Sequence, residues 1–537
     1  MIPKFCLATI RSMSLGRTTF FAFTLLVVAC RPSVLSVRDP VLVPVQPLPP
    51  ALAAAPPSSA ERPVSPLLPV APDAVPPFAT LGNTSGPTPK LRDGARRALA
   101  SKWTARVGKT TFRTTMALEA GNVVIGTHGD SLQGTNEASD AVYVIEGKSG
   151  RIIRRIATPG TGDKDVGGIA IDAGFVVFST DNGQIVKAKL ADGSIAWTTK
   201  LGGKLRPAPA LGDLDGTGAN DIIVGDERGV LHALDGDTGK PLWTRDTGSN
   251  AYDAAGFIAA AAIADLDKDG RDDVVAGARD GNLVAYRGKD GEEIWRHEGD
   301  SGIHASPSLV DLDGDGRMEI LASWSYSRIM ILDAPTGAVR WEQTLEQDAG
   351  GIEGLFGSPV PIPRRAPAKG AIVQATAWWG GKRGGRQRKD GVVDGVVLAG
   401  QDGRIFRTNE GRVSSTAIVM DIDDDGNWEA IVGTESGELV ALSLELGTRT
   451  PLARLGGAIE AAAFAADVDG DGSYELLVAS NDGVLTCFTT GSRTKPLIAR
   501  FRGTSAANRG DLGAIALGWE NEPPGEDRDA APEVEDN

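Results

Sequence analysis

The chain has 537 residues, a formal net charge of −15 and a pI near 4.9. That acidity excludes a general nucleic-acid binder, which needs clustered Lys and Arg against phosphate. A hydrophobic share of 41% is enough for a globular core, and 68 glycines point to many tight turns rather than long helices.

The N-terminus reads as a targeting segment. Lys4, Arg11 and Arg17 are its basic region, and residues 18–28 (TTFFAFTLLVV) form an apolar run too short to span a bilayer. The run ends at Cys30, in VVAC, which resembles a bacterial lipobox; the resemblance implies cleavage of residues 1–29 and lipidation of Cys30. An ordinary secretory signal with an incidental cysteine is the alternative, and Met13 is an alternative start. The other cysteines are Cys6, inside the signal, and Cys487, in a strand-like VLTCF where a buried thiol is expected. Residues 30–95 follow as a Pro/Ala-rich tether: 31–90 hold 16 of the 32 prolines, too many for a packed core. The acidic, Pro-rich residues 520–537 read as a disordered tail.

Between these ends, at 96–519, lies a repeat. An Asp-rich loop begins at Asp213, Asp265, Asp311, Asp421 and Asp467, with gaps of 52, 46, 110 and 46 residues. The 110-residue gap is two repeats, so one unit near 350–407 lacks the loop. Two more loop-less units, 103–155 and 157–197, precede the first loop, for a total of eight. Each unit is a set of short apolar strands separated by Gly, Asp and Asn turns, as in VGDERGVL and VASNDGVL. Units of this length with four strands predict an all-β fold, a β-propeller of eight four-stranded blades, with seven as the alternative.

Calcium takes six to eight oxygens, and a tight loop turns side chains one, three and five inward together. Glycine belongs at position six, where the loop turns sharply, and an acid at position nine closes the sphere. The five predicted sites are Asp213, Asp215, Thr217 and Asp221; Asp265, Asp267, Asp269 and Asp273; Asp311, Asp313, Asp315 and Glu319; Asp421, Asp423, Asp425 and Glu429; and Asp467, Asp469, Asp471 and Glu475. Thr217 removes one charge from the first, which should bind most weakly. An EF-hand would place its closing acid at position twelve between helices, and here an apolar strand follows position nine at once. Metal-free acidic turns are the alternative. About five bound Ca²⁺, in a structural role, would bring the net charge to about −5.

These loops resemble the FG-GAP or VCBS repeat of integrin-alpha-like calcium-binding propellers. The second half of each unit resembles the pyrroloquinoline-quinone-type propeller repeat, as in ALDGDTGKPLW at 233–243, AYRGKDGEEIW at 285–295 and ILDAPTGAVRW at 331–341. That resemblance implies a tryptophan packed between blades.

No catalytic constellation stands out, so a non-enzymatic reading is expected. His128, His232, His297 and His304 show no metal spacing. The enzyme alternatives are a quinone-dependent periplasmic oxidoreductase, which the second resemblance implies but which lacks a vicinal cysteine pair here, and a calcium-dependent polysaccharide-active propeller. Arg364, Arg365, Lys369, Lys382, Arg383, Arg386, Arg388 and Lys389, with Trp378 and Trp379, form a basic segment that reads either as a binding patch or as a solvated insertion. The expected partners are an envelope protein or glycan and, through the lipid, the bacterial outer membrane at its periplasmic or surface face. A role similar to that of the propeller lipoprotein of outer-membrane protein assembly is a narrower form of this reading.

Overall fold

A computed structural model describes residues 92–94, 98–131, 137, 139–247, 256–299, 301–325, 328–344, 352–379, 396–402, 405–408 and 412–519. For 352–354, 377–379 and 405–407 only the backbone is described. The chain divides after Pro72, and every described residue belongs to the second unit. The signal peptide, Cys30, the tether through residue 91 and residues 520–537 lie outside the described residues, as do Lys382, Arg383, Arg386, Arg388 and Lys389.

The described residues form strands and turns and no helix. Eight antiparallel four-stranded sheets follow one another as the blades of a propeller, as the repeat count predicts. By their first and last residues the blades are 116–157, 166–200, 210–246, 262–298, 308–344, 360–407, 418–454 and, for the eighth, 464–489 with 100–106. The second and third strands of a blade are buried almost throughout, as in Asp221–Gly225 and Val230–Leu234. They therefore read as near-continuous apolar runs. The outermost strand alternates, as in Pro241–Asp246, because one of its faces meets solvent.

The expected unit 103–155 is divided in the structure. Its first strand, Ala100–Arg106, pairs with Val484–Thr489 and completes the last blade. The two ends of the repeat thus share one sheet. The ring closes through backbone hydrogen bonds rather than through side-chain contact alone.

Stacking depends on one repeated contact. The indole of an outermost strand donates its Nε1–H to a backbone carbonyl in the next blade. Trp103 donates to Gly147 (2.7 Å), Trp197 to Gly236 (3.3 Å), Trp243 to Gly288 (2.6 Å), Trp295 to Ala334 (2.9 Å) and Trp341 to Gln401 (3.2 Å). The ring then lies on a glycine of that turn. A Cβ at Gly150, Gly239, Gly291 or Gly337 would sit 2.6–2.7 Å from the indole, and φ there is +69 to +72°. Only glycine meets both demands. In the first blade Arg154 takes this place and donates to the carbonyls of Leu190, Ala191 and Asp192.

Sequence reasoning missed the role of the C-terminal segment. An innermost strand has no neighbour toward the axis, so its edge N–H groups need partners. Residues 498–510 supply them. Val419, Ala465, Ile171, Leu211, Ile263 and Leu309 donate to the carbonyls of Ile498, Ala499, Ala506, Ala507, Arg509 and Gly510, at 2.7–3.0 Å. In five of these blades the donor lies two residues before the first loop Asp. The matching residue of the sixth blade is Pro361, which has no N–H to satisfy. The segment is therefore a belt around the inside of the ring at its loop side. It continues into Asp511–Ala514, which adds a parallel fifth strand to the fifth blade.

Trp243 is 7% exposed, and truncating it removes both its packing and its hydrogen bond. Trp243→Ala is expected to lower the unfolding free energy by about 3–5 kcal/mol. Equilibrium denaturant unfolding checks this; a loss under about 1 kcal/mol would show that docking does not hold the blades.

Candidate metal centres

Each Asp loop connects the first strand of a blade to the second. In the first and second blades the same connection is a two-residue turn, Ala120-Gly121 and Ala173-Gly174, with positive φ at all four residues. The loops are therefore insertions at one fixed corner of the blade, and they line one face of the ring.

All five share one internal pattern. The first Asp accepts the N–H of the glycine at position six: Gly218 to Asp213 (2.9 Å), Gly270 to Asp265 (3.0 Å), Gly316 to Asp311 (3.1 Å), Gly426 to Asp421 (2.8 Å) and Gly472 to Asp467 (3.0 Å). The acid at position nine accepts the N–H of position two, from Leu214 to Asp221, Leu266 to Asp273, Leu312 to Glu319, Ile422 to Glu429 and Val468 to Glu475, at 2.9–3.2 Å. The first Asp accepts a second loop N–H on its other oxygen in every case, so both of its oxygens are held against the loop backbone. One oxygen from each of Asp213, Asp215 and Asp221 lies within 4.8 Å of the others. The same holds for Asp265, Asp267 and Asp269, for Asp311, Asp313 and Asp315, and for Asp421, Asp423 and Asp425. That spacing matches oxygens about 2.3–2.6 Å from one shared ion. In the fifth loop Asp469 Oδ1 is buried with no hydrogen-bond partner. The donor set, all hard oxygen, fits calcium.

The closing acids carry a cost. Burial pushes the carboxyls of Asp221 and Asp273 up to about 6, Glu319 to about 7 and Glu429 to about 8, and raises Glu475. A bound divalent ion offsets this desolvation directly.

The loops also join blades. The Asp272 carboxylate accepts the N–H of Asp213 in the preceding blade (2.8 Å) and pairs with Arg509 of the belt. Arg271 donates to the carbonyl of Asp215 (3.2 Å). Asp424 accepts the backbone N–H groups of Arg493 and Thr494. Arg365 donates to the carbonyls of Asp425 and Gly426, and Arg364 forms a half-buried pair with Glu445 (3.0 Å). Of the described basic-segment residues, these two are tied into blade contacts, and Lys369 donates to Gln401.

Two loops meet a cation of their own blade. Arg340 pairs with Asp313 (3.1 Å) and Glu319, and Lys102 pairs with Asp469 and Glu475 (2.9 Å). Each cation stands one residue before a docking tryptophan. The third and fourth blades carry Leu242 and Ile294 at that place. Sequence reasoning ranked the loops by their own charge and missed these partners, which the repeat register would have revealed.

The opposite mouth of the channel holds a second cluster. Asp163, Asp165 and Asp181 bring oxygens within 4.8 Å of one another. Lys204 reaches Asp163 (2.8 Å) and Asp181 (3.3 Å), and Arg113 reaches Asp181 (3.5 Å), so side-chain cations already offset the acids. His128 contacts Asp165 at 2.9 Å. Burial moves the imidazole down to about 3 and the carboxyl up to about 7, so both partners are driven toward their neutral forms. Phe356 stacks on His304 at 5.2 Å and meets Phe112 at 5.4 Å, which joins the fifth, sixth and first blades across this mouth. His232 contacts Asp226 (3.4 Å) and His297 packs on Trp324. Cys487 is buried in a strand, and burial pushes its thiol up to about 12.

The repeats and the ring define an eight-bladed β-propeller. Residues 138–354 match the family described as outer membrane protein assembly factor BamB. A search of curated proteins finds no match. Among solved structures, BamB from Moraxella catarrhalis aligns over 73% of this chain and 100% of its own, at 17% identity and a TM-score of 0.45. A quinohemoprotein alcohol dehydrogenase from Comamonas testosteroni aligns over 74% and 77%, at 13% identity and a TM-score of 0.51. A europium-containing methanol dehydrogenase aligns over 73% and 93%, at 12% identity and a TM-score of 0.53. At these identities the last two show the fold alone.

Two outcomes follow. A carboxyl raised above its unfolded-state value makes the metal-free fold bind protons, so its stability falls as pH rises through that window. In excess chelator the melting temperature is therefore expected to drop between pH 6.5 and 8, and saturating calcium is expected to raise it most at pH 8. Thermal scans that show no calcium effect at pH 8 would exclude these loops as metal centres. Lys102→Met is expected to tighten calcium at the Asp467 loop by about tenfold, since a competing charge is removed. Isothermal titration checks this, and the Asp213 loop, whose Thr217 accepts only a 3.5 Å contact from Ala219 N–H, should be the weakest site.

Proposed function

We propose that this chain is a calcium-loaded, lipid-anchored propeller that acts without catalysis, as a protein- or glycan-binding scaffold at the bacterial cell envelope. The observation that carries this reading is the loop face itself. Of the five acidic loops, which resemble those of FG-GAP or VCBS repeats, the ones at Asp213, Asp265 and Asp421 are bonded across blade boundaries, and the chain's own belt occupies the channel beneath the loop face. Such a face is a rigid platform, which suits a binding module that must keep its shape away from the cytoplasm. About five structural Ca²⁺ would take the place of the disulfides that exported domains commonly use. Residues 138–354 match a family described as an outer membrane protein assembly factor, which supports a protein partner at that membrane. Cys30 and the tether would anchor the ring and give it reach.

A second reading, a quinone-dependent oxidoreductase, draws support from the opposite mouth. There Arg113, His128 and three aspartates gather around the channel entrance. One assay separates the two. Protein incubated with pyrroloquinoline quinone and calcium is tested for dye-linked oxidation of alcohols and sugars. No turnover above a denatured control is expected. Sustained turnover that Arg113→Ala abolishes would overturn the scaffold reading.

A further inference from the structure

The belt turns back on itself at Arg500–Gly503, where Arg500 and Gly503 exchange backbone hydrogen bonds at 3.1 and 3.3 Å. Both arginines of this turn are buried, at 2% exposure each. They differ in how they are satisfied. Arg502 donates Nη1 to the carbonyl of Ala260 (3.1 Å) and Nη2 to that of Ala261 (2.8 Å), at the start of the fourth blade's inner strand. Arg500 lies over the ring of Phe464, 5.8 Å from its centroid, on the inner strand of the eighth blade. The fourth and eighth blades face each other in an eight-membered ring, so the turn spans the channel.

Arg500 pairs with no carboxylate among the described residues, and its Nε and Nη2 are buried without a hydrogen-bond partner. These two nitrogens form the side-on edge of a guanidinium, the fork that grips two oxygens of one carboxylate or phosphate. A charge buried without a partner carries a large desolvation cost, so buried arginines are generally found paired. Arg364, whose side chain is 4% exposed, is paired, with Glu445. Burial without an opposing charge also pulls the Arg500 and Arg502 guanidiniums down, to about 10 and about 9.

We propose that the channel beneath the belt binds a small oxyanion, a carboxylate or phosphate-like group held side-on by Nε and Nη2 of Arg500. Arg502 fixes the turn through Ala260 and Ala261 and adds a second positive charge to the site. A carboxylate from residues 520–537 has the same chemistry. However, Trp519 packs on Trp341 of an outermost strand (5.1 Å) and donates to Gly370 (3.0 Å), so the chain has left the channel before residue 520. A free anion is therefore the assigned occupant.

The test uses the propeller with calcium present throughout, dialysed into chloride buffer. Sulfate and malonate are then added at constant ionic strength and followed by isothermal titration and thermal shift. Saturable binding of one anion per chain is expected, with Arg500→Gln losing at least about tenfold in affinity and Arg500→Lys losing less. Equal binding by wild type and Arg500→Gln overturns the site. So does a wild type that binds neither anion while Arg500→Met melts higher, which would mark an uncompensated charge. A chain ending at Trp519 that binds the anions when the full chain does not overturns the free-anion assignment in favour of the tail carboxylate. Comparable binding by both chains supports it.

Discussion

Each blade has two sheet faces to bury and one inner edge to satisfy, and no single blade can do either. The indole contact solves the first problem. At five boundaries it carries one large apolar surface across and pins it with a hydrogen bond to a turn carbonyl. Arg154 shows that the requirement is for a group that reaches this turn, not for tryptophan itself, since a guanidinium meets three carbonyls of the matching turn. The belt solves the second problem. Six inner-strand N–H groups at matching positions take six carbonyls from one short segment, and the one blade with proline at that place needs none.

The acidic loops fit this frame as corner pieces. They sit where a two-residue turn would suffice, as the first two blades demonstrate, and side chains of the Asp265 and Asp421 loops reach into adjacent segments and the belt. The repulsion among their carboxylates is a cost that the apolar core does not offset. Backbone N–H groups share part of it, Arg340 and Lys102 take a further part in two loops, and a divalent ion suits the rest. The loops are therefore the place where the chemistry of the surroundings, proton or metal, acts on the mechanics of the ring.

The blade count and the loops were legible in the sequence because both rest on local, repeated patterns. Position-six glycine, position-nine acid and the apolar strand that follows recur in register, and ALDGDTGKPLW marks an outer strand and its turn. Ring closure was less visible: Ala100–Arg106 looks like the start of the first unit, and only pairing across almost the whole chain assigns it to the last. The belt left no signal at all. Its bonds use backbone carbonyls, which any sequence provides, and its small residues (GTSAANRG) resemble a loop. The mouth cluster was hidden for a related reason, since Arg113, His128, Asp165 and Asp181 come from separate strand ends with no spacing rule.

The shared eighth blade imposes an order on how the molecule can be made. A ribosome that has released residue 460 holds seven blades that are able to stack, yet the strand meant for the eighth has been waiting since residue 106. Until residue 489 emerges, that N-terminal strand has no sheet to join, and until residue 510 emerges the inner edges face an open bore. Completion is thus reserved for the finished polypeptide. A chain cut short between residues 484 and 510 leaves a ring with an unpaired seam or unpaired inner edges, a state in which another copy's strand can take the place of its own.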